Sequence, residues 1–570
     1  MGRPTAALDG PGNVSSPSSR EVTTNPIPRH VSLNTQPEPP APDPKVTVNG
    51  RRPALRPRGK FRDLVFTRTY SAFDRKNEAA ANSPFYGFFT LCWLTLALFI
   101  LKTAVANWKT QGNPLGTNDI MRNMLSRDVL VLMISDGVIC ALTFVSWLIQ
   151  LAVLHGYLDW DRTGWILQNT IFIGGVVGLT IARDWPWTHT VFFVLHGLVL
   201  LMKQHSYAFY NGHLSTVSNE RTILRAALGK LKERDPAAAS STSVSAAAST
   251  ALSRRSSIVK SRQQERRASL KDEEPEIDEP EIDKVISHID SNVAIPAGAF
   301  RLYEMVLEDE IDFHTQELVR NTTAKRRAYP NNLNFCNLAE FLFLPTVVYE
   351  LEYPRTESIN WYFVLEKLAA TVGILFVMNM LSQTFIYPVV MRAVSMKQMG
   401  VPLCERLREF PWMLSDLMFP FMAEYLLTWY LIWETILNTI AELTRFADRN
   451  FYDPWWNSVS WDQFAREWNK PVHNFLLRHV YHSSISSMKV DKHTATLITF
   501  FLSACVHEMV MWCLFKKLRG YLLVLQMCQL PLIQLSRTKW LRDRKVLGNI
   551  IFWIGIFTGP SLLCSLYLIL

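Results

Sequence analysis

Charge is scarce in this chain. Only 19% of its 570 residues are Asp, Glu, Lys or Arg, against 48% that are hydrophobic, and the charges gather in a few stretches between long apolar blocks. That distribution excludes a string of ordinary soluble domains, which length alone would suggest. Glycine is sparse, with 24 residues, which excludes a collagen-like repeat, and eight cysteines are too few for a disulfide scaffold. Cys92, Cys140, Cys505, Cys513, Cys528 and Cys564 lie inside apolar blocks, and no CxxC or His/Cys spacing suggests zinc. No charged stretch leading into a short apolar run opens the chain, so no cleavable signal peptide is expected and insertion is expected to begin at the first internal apolar segment. No repeat relates the two halves, which speaks against a transporter built from inverted repeats. Nucleic acid is not an expected partner.

What is present is length in the apolar blocks. Crossing a hydrocarbon core of about 30 Å takes about 20 helical residues. Nine segments qualify, near 84–107, 128–155, 163–183, 186–204, 361–391, 411–443, 494–515, 518–535 and 546–570. The expected fold class is therefore an all-α polytopic membrane protein with about nine transmembrane helices. The 335–350 segment is apolar but short and carries Pro345, which predicts a re-entrant or interfacial helix. The 361–391 and 411–443 segments are long enough that they must tilt, kink at Pro420 or project beyond the bilayer.

One polar region precedes, and another interrupts, the catalytic body expected over 81–570. Residues 1–80 hold 12 of the 30 prolines and few large apolar side chains, so most of this cytosolic region is expected to be disordered. Its end, Arg51 to Arg75, is basic and suits a position beside anionic headgroups. A loop of about 130 residues follows the fourth span. Its middle, 236–283, is Ala/Ser-rich, then Arg-rich, then the acidic near-repeat EPEIDEPEID, and reads as a disordered cytosolic linker. Ser256, Ser257 and Ser269 follow paired arginines there as candidate phosphorylation sites. The basic flank before the first span and the 537–545 loop fall on one side when nine spans are counted, so the N-terminus is expected in the cytosol and the C-terminus in the lumen. The 392–408 loop and Lys516–Arg519, also basic, fall on the opposite side by this count.

The stretch with chemical character begins at Phe451, Tyr452, Asp453, Pro454, Trp455, Trp456 and Asn457, and continues through Trp461, Trp468 and Asn469. Tryptophans at this density suit a membrane interface. From Pro471 a helix can start, with proline in its first turn; Val472, Phe475, Leu476, His479 and Val480 then share one apolar face. In the seventh span, Thr496, Thr499, Ser503 and His507 form a polar stripe roughly 80° wide at about 100° per residue. Such a stripe faces protein or a water-filled cavity rather than lipid, and an ionisable residue at that depth is a candidate for function. A helix-packing hydrogen bond accounts for the same stripe, and the pattern alone leaves both readings open. His507-Glu508 resembles the start of HExxH, but position 511 is Met511, so the zinc motif fails and Glu508 is expected to pair elsewhere.

The stretches FYDPWWN (451–457), WNKPVHNFLLRHVYHSS (468–484) and SACVHE (503–508) together resemble the sterol O-acyltransferase branch of the membrane-bound O-acyltransferase (MBOAT) superfamily, and most closely its fungal members. FLFLPTVVYELEYPR (341–355), LTRFADRNFY (443–452) and QMCQLPL (526–532) add to the likeness, which is strong over 340–570 and looser over 60–220. One departure is clear. The family motif has aromatic-Tyr-any-Asp-Trp-Trp-Asn, whereas here the acid comes one place early as Asp453, with Pro454 in its usual position. A locally altered loop and retained activity are expected.

The resemblance implies the MBOAT fold, an endoplasmic reticulum location, and transfer of a long acyl chain from acyl-CoA to the 3β-hydroxyl of a sterol. It implies His507 as the catalytic histidine and Asn469 as its partner, with Gln463, Arg466, Trp468, Tyr481, Lys492 and Ser503 around the acyl-CoA. A sterol hydroxyl attacks a thioester only as its proton leaves, which a neutral imidazole can promote by about 10²–10⁴-fold. Asn469 either orients that imidazole or donates to the developing oxyanion, a role worth about 3 kcal/mol in comparable sites. Acyl-CoA is the cosubstrate, entering from the cytosol; sterol arrives from the bilayer. No metal, tightly bound cofactor or acyl-enzyme is implied, and a homodimer or higher homo-oligomer is. A diacylglycerol O-acyltransferase, with the same chemistry and a glycerolipid acceptor, is the rival reading.

Overall fold

A computed structural model describes residues 66–234 and 282–570 apart from short stretches within them. The region up to residue 65 and the linker serines Ser256, Ser257 and Ser269 lie outside the described residues. Among the described residues the regular elements are helices, joined by one isolated antiparallel bridge between Arg355 and Phe446. In chain order, short turns aside, these are α1 (Tyr86–Gln111), α2 (Val129–Leu154), α3 (Arg162–Ala182) and α4 (Trp187–Glu233). They continue with α5 (Ile282–Asp290), α6 (Ala297–Val319), α7 (Phe335–Phe343), α8 (Trp361–Gln398) and α9 (403–443). The last five are α10 (Trp461–Glu467), α11 (470–488), α12 (Lys492–Phe515), α13 (Tyr521–Ser536) and α14 (Lys545–Ile569).

Each of the nine apolar segments is helical. Among the described residues, six helices are long and apolar enough to cross a membrane: α1, α2, α3, α8, α12 and α14. The protein is therefore a multi-pass membrane protein. The other three differ for visible reasons. Helix α13 is shorter. Helix α9 carries Glu424, Glu434 and Glu442 among its apolar residues, and α4 has His189, His196, Lys203 and Gln204 within its first five turns.

Helix α4 also runs well past residue 204. Its 47 residues extend about 70 Å at about 1.5 Å each, more than twice the hydrocarbon thickness. Its far end packs with α5 and α6 around Leu224, Leu231, Val285, Ile289, Leu307 and Ile311. Lys232, with Glu304 at 3.2 Å and Glu308 at 2.9 Å, fringes that contact. Both ends of the long loop expected after the fourth span are thus helical, because one apolar stripe suffices for a helix that lies against others.

The 335–350 segment contains helix α7 followed by irregular, buried chain from Leu344 to Tyr349. Non-helical backbone in a membrane protein must find its partners inside the protein. Here α4 supplies them: buried Lys203 donates to the carbonyls of Phe341, Leu342 and Leu344 at 2.9, 3.0 and 2.6 Å, closing the C-terminal end of α7. Tyr349 N–H donates to Ser206 Oγ at 2.8 Å, and Arg478 of α11 pairs with Glu350 at 2.6 Å.

Candidate active site

The site is built from the loop 451–460, helices α10 and α11, and α12. In the loop, Phe451, Tyr452 and Trp455 are buried, Asp453 and Trp456 half-buried, and Asn457 exposed. Trp455 sits within 5.2–6.0 Å, ring to ring, of Trp429, Trp456, Phe464 and Trp553. Two glycines of α14 make this packing feasible. A Cβ on Gly555 would come 2.4 Å from the Trp461 ring, and one on Gly548 would come 2.7 Å from the Val459 carbonyl oxygen. On the same helix, Asn549 donates to the Trp456 and Ser458 carbonyls at 3.1 and 2.9 Å.

Below the loop lies an ion pair. Glu434, fully buried in α9, accepts from Lys367 of α8 at 2.6 Å, from the Tyr452 hydroxyl at 2.7 Å and from Ser71 at 3.1 Å. Glu434 lies in a π-helical turn, Tyr430–Ile436, a geometry frequent at functional sites. Ser71 and the neighbouring Phe73, stacked 5.3 Å from Trp456, lie in the last part of the polar N-terminal region, and these two residues pack against the core.

Asn469 is the N-cap of α11. Its side-chain oxygen accepts from the Val472 N–H at 3.2 Å, which secures one of the orphan donors of the helix start, and Pro471 occupies the first turn as the sequence predicts. The displaced motif acid has a partner beside it: Asp453 accepts from Lys470 at 2.5 Å. Backbone bonds reinforce the link, from Asp453 N–H to the Glu467 carbonyl at 2.8 Å and from Lys470 N–H to the Phe451 carbonyl at 3.0 Å. The altered loop is thereby clamped to the residues on either side of Asn469.

At the end of α10, Trp468 stacks on Phe464 at 5.7 Å and meets Trp433 at 5.3 Å. Gln463 is occupied within its own turn, accepting from Val459 N–H and donating to Glu467, both at 3.1 Å. Arg466 is exposed and paired with Asp462 at 2.7 Å. Burial alone would raise the Asp462 carboxyl, but hydrogen bonds from Ser460 and Arg466 outweigh it and hold it below the usual range. Tyr481 lies in a second π-helical turn, Leu476–Tyr481, which packs against α12. Lys492 is exposed at the start of α12.

His507 lies about 22 Å along α12 from Lys492, at roughly 1.5 Å per residue. It is half-buried. Its Nδ1 is 2.8 Å from the Ser503 carbonyl oxygen. A carbonyl only accepts, so in the neutral ring Nδ1 carries the proton and Nε2 carries the lone pair. Nε2 has no hydrogen-bond partner, and it is not among the sealed unpaired atoms of the described residues. Two other members of the polar stripe are satisfied within the helix: Thr496 and Thr499 donate to the Lys492 and Ala495 carbonyls at 2.8 Å. Glu508 does pair elsewhere, accepting from the backbone N–H groups of Arg519, Gly520, Leu522 and Leu523 at 2.6–3.3 Å and from the Tyr567 hydroxyl at 3.1 Å. A carboxylate at the N-terminus of α13 is well placed electrostatically, and it locks α12, α13 and α14 together beside His507.

The structure thus joins Ser503 to His507, and Gln463, Arg466, Trp468 and Asn469 to one corner. No hydrogen bond links Asn469 to His507; the contact between their helices runs through the turn that holds Tyr481 and the helical residues that follow it. Sequence reasoning missed His473, one turn beyond Asn469. Burial, with the charges of Arg466 and Lys470, pushes its imidazole down to about 4, so it is neutral at physiological pH. It also missed the Lys367–Glu434 pair, although isolated charges inside apolar blocks were the available signal.

Comparison with known proteins agrees with this architecture. The family model described as MBOAT, membrane-bound O-acyltransferase family, matches residues 85–569. Sterol O-acyltransferase 2 of Candida albicans is 34% identical over 517 residues, covering 90% of this chain and 79% of that protein. Probable sterol O-acyltransferase 1 of Schizosaccharomyces pombe is 34% identical over 517 residues, covering 89% and 87%. Diacylglycerol O-acyltransferase 1 of Dictyostelium discoideum is 33% identical but over 241 residues, 42% of this chain and 37% of its own. The chain belongs to the membrane-bound O-acyltransferase family and, within it, to the sterol O-acyltransferases.

Proposed function

We propose that this protein esterifies a sterol, moving a long-chain acyl group from acyl-CoA to the 3β-hydroxyl, with His507 Nε2 as general base. The observation that carries the reading is the hydrogen bond from His507 Nδ1 to the Ser503 carbonyl. It fixes the tautomer whose other nitrogen can accept the sterol proton as the oxygen attacks the thioester carbonyl. The carbonyl oxygen gains charge, the thiolate of CoA leaves, and the imidazolium returns the proton to it. Asn469, held at a helix start, either orients the reacting groups or donates to the oxyanion. Half-burial of His507 favours transfer over hydrolysis by limiting water.

In this reading, Arg466 and Lys492, both exposed, meet the phosphates of CoA. Trp468, Tyr481, Gln463 and Ser503 line the path toward His507. The enzyme resides in the endoplasmic reticulum membrane, N-terminus cytosolic and C-terminus lumenal, and acts as a homodimer or higher homo-oligomer. Sterol is favoured over diacylglycerol because the sterol O-acyltransferases align over most of both chains, whereas the diacylglycerol relative aligns over less than half of either. The test is direct. Purified protein is given radiolabelled long-chain acyl-CoA with ergosterol or with diacylglycerol; ester formation on ergosterol is expected. Transfer to diacylglycerol alone would overturn the acceptor assignment.

A further inference from the structure

A cavity of about 260 Å³ opens where α7, the Arg355–Phe446 bridge and the end of α9 meet. Arg327, Arg355 and Arg445 line it, with Glu340, Phe343 and Thr444. Neither Asn469 nor His507 does. Three guanidinium groups therefore face one carboxylate. Glu340 is taken by Arg355 and lies 3.7 Å from Arg327. Arg445 donates to a neutral group, the Glu357 carbonyl, at 3.3 Å.

The backbone presets this arrangement. Thr356 N–H donates to the Arg445 carbonyl at 2.9 Å and Ala447 N–H to the Pro354 carbonyl at 3.0 Å, so Arg355 and Arg445 stand side by side. Arg445 also ends α9 with φ 56°, where glycine is the usual occupant. Burial pushes the Arg355 guanidinium below its ordinary range; Glu340 opposes the shift, and the neighbouring Arg327 and Arg445 add smaller contributions to it. The cavity lies where α9 ends and shortly before α8 begins at Trp361. Phe343 and Trp361 are 73% and 66% exposed there, as expected of aromatics at a membrane–water boundary. A water occupies about 30 Å³ in the liquid, so the space exceeds what a few waters need. Planar guanidinium forks suit phosphate oxygens.

We propose that this cavity binds a phosphate ester through Arg327, Arg355 and Arg445, at a site separate from acyl transfer. The ligand is presented either by an anionic phospholipid headgroup or by a soluble phosphate compound. The inference stands independently of the esterification reading.

The test uses the full chain in nanodiscs of phosphatidylcholine alone, of phosphatidylcholine with phosphatidic acid, and of phosphatidylcholine with inorganic phosphate added. Thermal unfolding is the readout. Ligand should raise the midpoint by roughly 2 °C or more, and the double variant Arg327→Gln/Arg445→Asn, whose asparagine tolerates the left-handed backbone, should lose that rise. A rise with phosphatidic acid alone assigns a headgroup; a rise with inorganic phosphate assigns soluble compounds as well. No rise in the wild type, or the same rise in the variant, would overturn the proposal. Should the double variant not fold, Glu340→Gln decides: removing the competing carboxylate should tighten binding several-fold, and unchanged or weaker binding would sink the idea.

Discussion

Asn469 and His507, proposed to act in one reaction, are held in opposite ways. Asn469 sits in a heavily bonded corner. Its own oxygen caps α11, its neighbour Lys470 is paired with Asp453, and the loop packed against it rests on the Lys367–Glu434–Tyr452 cluster. His507 has a single hydrogen bond, to its own helix, and one ring nitrogen uncommitted. Under the proposed reaction this contrast is a division of labour: a rigid corner would fix where the substrates lie, and a lightly tied imidazole would keep its lone pair for the proton.

That contrast can be broken at several points. The largest effect is expected at Glu434. Glu434→Ala leaves Lys367 buried without its partner, which costs about 3–5 kcal/mol, and should appear as a large fall in the thermal midpoint of purified protein together with loss of activity. A midpoint within a degree of wild type would show that the cluster is not the foundation of the corner. Next comes Asn469→Ser. Serine caps a helix about as well as asparagine, so stability should hold while kcat falls about 10²–10³-fold, the scale of a lost transition-state donor. Retained kcat would reduce Asn469 to a cap. The smallest effect is expected at Asp453→Asn. The Asp453–Lys470 pair is partly solvated, each side chain 21% exposed, so its loss should cost about 1 kcal/mol or less and change ester synthesis by a few-fold. A complete loss would mean that the displaced acid has taken over a role in the chemistry.

Much of the scaffold was legible in the sequence because bilayer thickness imposes a length on apolar blocks, and all nine blocks became helices. The extension of α4 beyond residue 204 was not, since its far half hides one apolar stripe among polar residues and acquires partners only from α5 and α6. The start of α11 was readable from Pro471, and the tryptophan-rich loop from its density of indoles. The choice of ionic partners was not readable. Lys367 and Glu434 are 67 residues apart, and only the packing of α8 on α9 pairs them. Asp453 offered a different lesson: its shift by one place looked like a lost interaction, yet Lys470 meets it in the shifted position.

The central claim is that His507 Nε2 takes the acceptor's proton. Steady-state synthesis of ergosteryl ester from radiolabelled acyl-CoA, compared between purified wild type and His507→Ala with matched thermal midpoints, tests it most directly. The account predicts a fall of about 10²–10⁴-fold in kcat with folding intact; near-normal synthesis by the well-folded variant would contradict it.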